Sequence, residues 1–157
     1  APPAELTARF HEPKLRRILS TPERVRAIDG LCDWLRPRLV RGAPLLAFDD
    51  CPMLYYLLDA RPTYGLTWAI RYNQTPATLA RLDAELRAVP LPRYAIRALV
   101  DLSPADWAAA PRANFDHYPL NETVTTHYDL VHTVFPFEVW RLRPAPAEKT
   151  SPDRGPP

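Results

Sequence analysis

Asp49 and Asp50 stand at the end of an apolar run, Leu45 to Phe48, and Cys51 follows them directly. Carboxylates at a strand end could coordinate a cation or contact sugar hydroxyls. The plainer role is structural: one of them caps the helix that Pro52 begins, accepting from its orphan N–H groups. Cys51 precedes a helix N-terminus, a setting that lowers a thiol pKa, but no C-x-x-C pattern accompanies it. His127, Asp129 and His132 resemble a loose metal cluster. If residues 128–134 form a strand, positions five apart face opposite sides, which forbids joint ligation. Asp116 and His117 could orient each other as a base and its partner, yet no nucleophile is placed beside them. No catalytic residue, metal ligand or cofactor is assigned on these grounds.

The aromatics Tyr55, Tyr56, Tyr64, Trp68 and Tyr72 gather between the first apolar run and a later helix. Aromatic faces stack on sugars and bases, and they also fill ordinary cores. Tyr55 and Tyr56 are adjacent on a helix and cannot face the same way, so at least one lies outside the core. A candidate ligand rim therefore comprises Asp49, Asp50, Tyr55, Arg61 and Tyr64. Asn73-Gln74-Thr75 and Asn121-Glu122-Thr123 match the glycosylation sequon, a short and common motif.

These groups must be held by elements, and proline marks where the elements start. Glycine is scarce and proline abundant, 4 against 20, so turns come from proline and Asx residues. No two glycines fall within loop distance of each other, which excludes a glycine-rich phosphate cradle. Thr21-Pro22-Glu23 is a helix start: Thr caps, Pro fits the first helical position, and the acid suits the positive end of the dipole. Val25, Ile28, Leu31, Cys32 and Leu35 follow on one face, and Pro37 ends the helix near Arg36. Pro52 opens a short aromatic helix that Arg61-Pro62 closes. Thr75-Pro76 opens a third, with Leu79, Leu82 and Leu86 on one face, and Ser103-Pro104 opens a fourth.

Residues 44–49 and 94–102 read as strands. Their apolar side chains run consecutively, which implies cover on both faces. Both end in acids, and the carboxyl ends of strands in open α/β sheets are where crevices form. Segments 128–134 and 137–143 are β-rich, with Pro136 between them, so one forms an edge or a tight antiparallel return. The fold class is α/β: a small layered sheet with helices on both faces, mixed, with a C-terminal antiparallel edge and at least one βαβ crossover. Residues 1–20 form an irregular arm with one helical turn, 21–143 the domain, and 144–157 a polar tail too poor in apolar residues to order itself. Cys32 and Cys51 fall too far apart along helix and strand to meet the roughly 7 Å that a disulfide needs, so both are free thiols.

At 157 residues, 46% of them hydrophobic, one domain can bury a core without a disulfide or metal. Net charge is +2 and the arginines are scattered along the chain rather than grouped on one stripe, so no nucleic-acid partner is expected. Lys14 and Lys149 are the only lysines, an arginine, alanine and proline bias that fits GC-rich bacterial coding. No apolar run approaches the roughly 20 residues that span a bilayer. The opening residues read as a cut end.

The order of the pieces resembles the C-terminal extracytoplasmic domain of multi-spanning GT-C-type glycosyltransferases, the membrane enzymes akin to protein O-mannosyltransferases and aminoarabinose transferases. The carrying residues are Thr21-Pro22-Glu23-Arg24 through Trp34-Leu35, then Leu45-Leu46-Ala47-Phe48. Cys51-Pro52-Met53-Leu54-Tyr55-Tyr56-Leu57 follows, with Arg61-Pro62-Thr63, and Phe137-Glu138-Val139-Trp140-Arg141-Leu142 looks like the family's last strand. The likeness covers about residues 20–101 and 128–143; residues 103–127 have no counterpart. It implies a domain on the periplasmic face of the bacterial inner membrane, shaping or capping the acceptor side of an enzyme with a polyprenyl-phosphate sugar donor. Its partners are then its own transmembrane region, absent from this chain, and a lipid-linked sugar or acceptor. The family's catalytic acid lies elsewhere, so no catalytic residue carries over. Two alternatives stand beside it: a free-standing sugar- or nucleotide-binding module using the rim, and a small hydrolase using Asp116-His117 or Cys51.

Overall fold

The computed structural model describes residues 6–48, 51–65, 75–99 and 119–144. Asp49, Asp50, Trp68, Tyr72, Asn73, the helix start at Ser103-Pro104, Asp101, Asp116, His117 and the tail from 145 onward lie outside the described residues.

The helix starts behave as local chemistry dictates. Helix α1 spans Pro22–Leu35, with Pro22 in its first turn and the Thr21 hydroxyl accepting from the Arg24 N–H at 3.4 Å. Its buried stripe is Ala27, Ile28, Asp29, Leu31, Cys32 and Leu35. Helix α2, Met53–Leu57, follows Pro52, and α3, Pro76–Ala88, is capped by the Thr75 hydroxyl, which accepts from Thr78 N–H at 3.2 Å. Helix α4, Pro119–His127, is one that no sequence signal announced. Its β-branched residues, Thr123 to Thr126, are indifferent helix formers, and burial of Leu120 and Val124 holds it instead.

Strands β1, Ala8–Arg9, and β2, Leu19–Ser20, pair antiparallel within the N-terminal arm. The arm is thus a small hairpin closed by turns, where sequence reading expected an irregular run with a helical turn. The main sheet holds β3 (Pro44–Phe48), β4 (Arg61–Pro62), β5 (Tyr94–Ala98), β6 (Tyr128–Val134) and β7 (Phe137–Leu142), in the order β4-β3-β5-β7-β6. β3 pairs parallel with β4 and with β5, while β7 runs antiparallel to β5 and to β6. The fold is α/β, with a mixed sheet whose antiparallel part is C-terminal and whose edge there is β6. Arg61-Pro62 does more than close α2: it forms the opposite edge strand.

Consecutive apolar residues in β3 serve two cores by the two-residue period of a strand. Leu45 and Ala47 join one buried cluster with Ile28, Leu31 and Leu35 of α1, Leu54 and Leu57 of α2, and Ile96, Phe137 and Val139. Leu46 and Phe48 join a second cluster with Leu82 and Leu86 of α3, Leu120 and Val124 of α4, Ala95 and Tyr128. The same alternation sorts β7. Phe137 and Val139 enter the first cluster, and Trp140 and Leu142 pack against the second.

The arm is fastened to α1 by a buried carboxylate. Asp29 accepts the backbone N–H of His11 at 2.8 Å and of Glu12 at 2.9 Å. Glu12, itself buried, receives the Arg36 guanidinium just past the end of α1.

Candidate functional site

β3 and β5 are parallel neighbours, and the last residue of β3, Phe48, sits opposite Arg97, the penultimate residue of β5. Their carboxyl ends therefore lie side by side, which is where an open α/β sheet makes its crevice. Side chains on the second-cluster face of the sheet meet there. Arg97 forms an ion pair with Glu138 of β7 at 2.7 Å, and the two side chains are 14% and 15% exposed. The register makes this pair: Arg97 and Glu138 are direct cross-strand partners. Arg97 also donates to the Asn121 side-chain oxygen in the first turn of α4. Trp140, two residues on from Glu138, donates its indole N–H to the Glu138 carboxylate at 3.1 Å. The guanidinium lies 5.7 Å from the Trp140 ring centroid. These four side chains are a guanidinium, a carboxamide, a carboxylate and an indole, joined by hydrogen bonds. Within the cluster they are bonded largely to one another. Sequence reading missed them, since only register and the unforeseen α4 bring positions 97, 121, 138 and 140 together.

Of the proposed rim, Tyr55, Arg61 and Tyr64 are among the described residues, and these three do not share a surface. Tyr55 lies on the first-cluster face, and its hydroxyl is committed to the open edge of β3. It accepts from Ala47 N–H at 3.0 Å and donates to Ala47 C=O at 3.1 Å. β4 is too short to reach Ala47, so the phenol takes the place of a strand partner. Thr63 does the same lower down, its hydroxyl donating to Leu45 C=O at 3.0 Å. Burial pushes the Tyr55 phenol up to about 12. Arg61 is exposed and pairs in register with Pro44, at the amino end of β3. The length of β3, roughly 3.3 Å per residue, separates it from the carboxyl end. Tyr64 is buried in the second cluster, across the sheet from Tyr55. Its hydroxyl has no hydrogen-bond partner among the described residues. Burial first, and Glu85 second, raise it to about 12.

The other candidates resolve structurally. Cys51 is buried and its thiol donates to Phe48 C=O at 3.1 Å. Both cysteines are free thiols, as their spacing required. Desolvation raises Cys32 to about 12, which leaves it inert as a nucleophile. His132 stacks on Trp34 of α1, with ring centroids 4.7 Å apart. His127 ends α4 and lines a groove of about 500 Å³ on the other side of the sheet. Asp129 pairs with Arg143 at 2.8 Å. The two imidazoles diverge because His127 closes α4 while His132 lies past a β-bulge after Leu130 that turns it toward α1. No group of three or more His, Cys, Asp or Glu side chains suited to a metal occurs among the described residues. Asn121 is buried and bonded to Arg97, so its sequon is out of reach of a modifying enzyme.

The groove runs between α3 and α4 and is walled by Asp83, Arg87, Glu122, Thr126 and His127, with Leu86 and Leu91 also lining it. Asp83 and Arg87 are already joined at 2.9 Å. No helix among the described residues is long and apolar enough to cross a membrane. No family model, no curated protein and no solved structure matches this chain.

Proposed function

We propose that this chain is a non-catalytic extracytoplasmic domain of a bacterial multi-spanning GT-C-type glycosyltransferase, shaping or capping the acceptor side of an active site fed by a polyprenyl-phosphate sugar. One observation carries the reading. The segments that bear the resemblance fall on α1, β3, α2, β4 and β7, and most of their buried residues meet in one core, Leu31, Leu35, Leu45, Ala47, Leu54, Leu57, Phe137 and Val139, while Leu46 and Phe48 turn to the second. Scattered likenesses of pattern need not pack together; these do. The polar cluster of Arg97, Asn121, Glu138 and Trp140 fits a recognising role, since its groups exchange hydrogen bonds at the carboxyl end of the sheet.

The test has two arms. The isolated chain should turn over no polyprenyl-phosphate sugar. In the full-length protein, deletion of residues 21–143 should depress transfer to the acceptor while leaving donor binding intact. Turnover by the isolated chain, or a reading frame without apolar spans of about 20 residues, overturns the proposal. A second reading, a free-standing sugar- or nucleotide-binding module, draws on the α3–α4 groove, where carboxylates, a guanidinium and hydroxyls flank an apolar floor. Calorimetric titration with a panel of sugars and nucleotides decides it.

A further inference from the structure

The arginines that look dispersed in sequence gather on folding. Lys14 of the arm ion-pairs with Asp59 at 2.8 Å and lies 4.6 Å from the Tyr56 ring centroid. The Asp59 carbonyl accepts from Gly42 N–H at 2.7 Å, in the loop between α1 and β3. Arg36, at the start of that loop, reaches back to Glu12 of the arm. Arm, loop and the end of α2 therefore form one continuous surface. Within residues 6–20, 36–43 and 59–61 there are eight basic residues and two acids, a local net charge of +6 on a chain whose total is +2. Both acids already have cationic partners. The Asp59 carboxyl is held below its usual range by the hydrogen bond from Lys14, aided by the nearby charges of Lys14, Arg41 and Arg36. Arg16, Arg17, Arg41 and Arg61 are exposed and enter no ion pair among the described residues.

Apolar side chains stand exposed among these charges: Val40 at 76%, Ile18 at 51% and Leu19 at 45%. We propose that this face docks on an anionic lipid bilayer, arginines on the headgroup phosphates and Ile18, Leu19 and Val40 in the headgroup–acyl boundary. Charge alone would suit any polyanion. The interleaved aliphatic side chains select the bilayer, because a membrane interface rewards their burial and a nucleic-acid backbone does not. The inference goes beyond the glycosyltransferase reading and does not need it: a binding module with this face would dock equally.

Flotation of the isolated chain with phosphatidylcholine vesicles, with and without phosphatidylglycerol, tests it. Binding is expected only to the anionic vesicles and should weaken as salt rises. R16Q/R17Q should lower the partition coefficient about twentyfold to thirtyfold, at about fivefold per basic residue near the surface. Val40→Asp should weaken it as well. R81Q/R87Q removes the same charge from α3, far from the face, and should leave binding within about twofold of the parent chain by the same rule. Thermal melts of each variant confirm that it is folded. Equal binding to neutral vesicles, equal loss in both double variants, no binding at low salt, or stronger binding to single-stranded RNA than to anionic vesicles overturns the proposal. Each result leaves the transferase test untouched, since vesicle binding and sugar transfer are read separately.

Discussion

Tyr55 and Tyr56 are neighbours of one residue type with opposite duties. Tyr56 is 63% exposed, while the Tyr55 phenol supplies both hydrogen bonds that Ala47 would otherwise take from a strand. Tyr55→Phe keeps the ring and deletes the partner. A backbone donor and acceptor are then left unsatisfied at a half-buried edge, a loss of about 1–3 kcal/mol. Tyr56→Phe should change stability by less than about 0.5 kcal/mol. Urea titration of both variants checks the contrast through the transition midpoint at constant slope. Equal midpoints would show that water replaces the phenol without cost. The same region shows how folding separates three members of the candidate rim. Sequence adjacency placed Tyr55, Arg61 and Tyr64 together, but a strand edge, a strand start and the far side of the sheet receive them.

Among the elements, Gly42 carries the entry into β3. It has φ +75°, and a Cβ built on it meets nothing within 4 Å. Any cost of Gly42→Ala is therefore backbone strain alone, about 1–2 kcal/mol. Because Gly42 N–H also donates to Asp59 C=O, the strain should loosen the join between the α1–β3 loop and α2. Hydrogen exchange at Gly42 and at Arg61, whose N–H donates to Ala43 C=O, should quicken before the rest of β3. Uniformly faster exchange across the sheet would instead mean that the whole domain had lost stability.

Elements written in local chemistry were legible before folding. Thr21-Pro22 and Thr75-Pro76 each combine a cap with a first-turn proline, and α1 and α3 begin there. Apolar runs without alternation marked the strands β3 and β5, and β3 divides its residues between two buried clusters. What was not legible depends on pairing at a distance. β4 and the arm strands are two residues long, and a dipeptide such as Arg61-Pro62 has no periodicity to read. The polar cluster at the sheet's carboxyl end needs a register between β5 and β7 and a helix at Pro119. Neither is encoded near Arg97.

At the scale of the molecule, the two cores share a liability. Each buries acidic groups that are neutral at ordinary pH and whose ionisation burial opposes. Cys32 and Tyr55 belong to the first cluster or pack on it, Tyr64 and Tyr128 to the second. Desolvation raises Cys32, Tyr55 and Tyr64 to about 12, and Tyr128 further still. In the unfolded chain the thiol ionises from about pH 8.5 and phenols from about pH 10. Above those values the unfolded state holds fewer protons than the native state, so stability falls as pH rises. Their folded values are raised, so their contribution is complete below the unfolded values and is lost as pH climbs toward about 12. The midpoint of thermal unfolding should therefore be flat near neutrality and drop progressively through that alkaline window. Cys32→Ala should soften the onset, because one of the two thiols that ionise first on unfolding is gone, although the smaller side chain lowers stability at neutral pH. Phenolate absorbance followed with circular dichroism during alkaline titration should show the buried tyrosines ionising together with loss of structure. Phenolate from Tyr64 or Tyr128 in a fully folded chain, read by difference against Tyr64→Phe and Tyr128→Phe, would mean that water reaches these side chains and that the second core is looser than its packing implies.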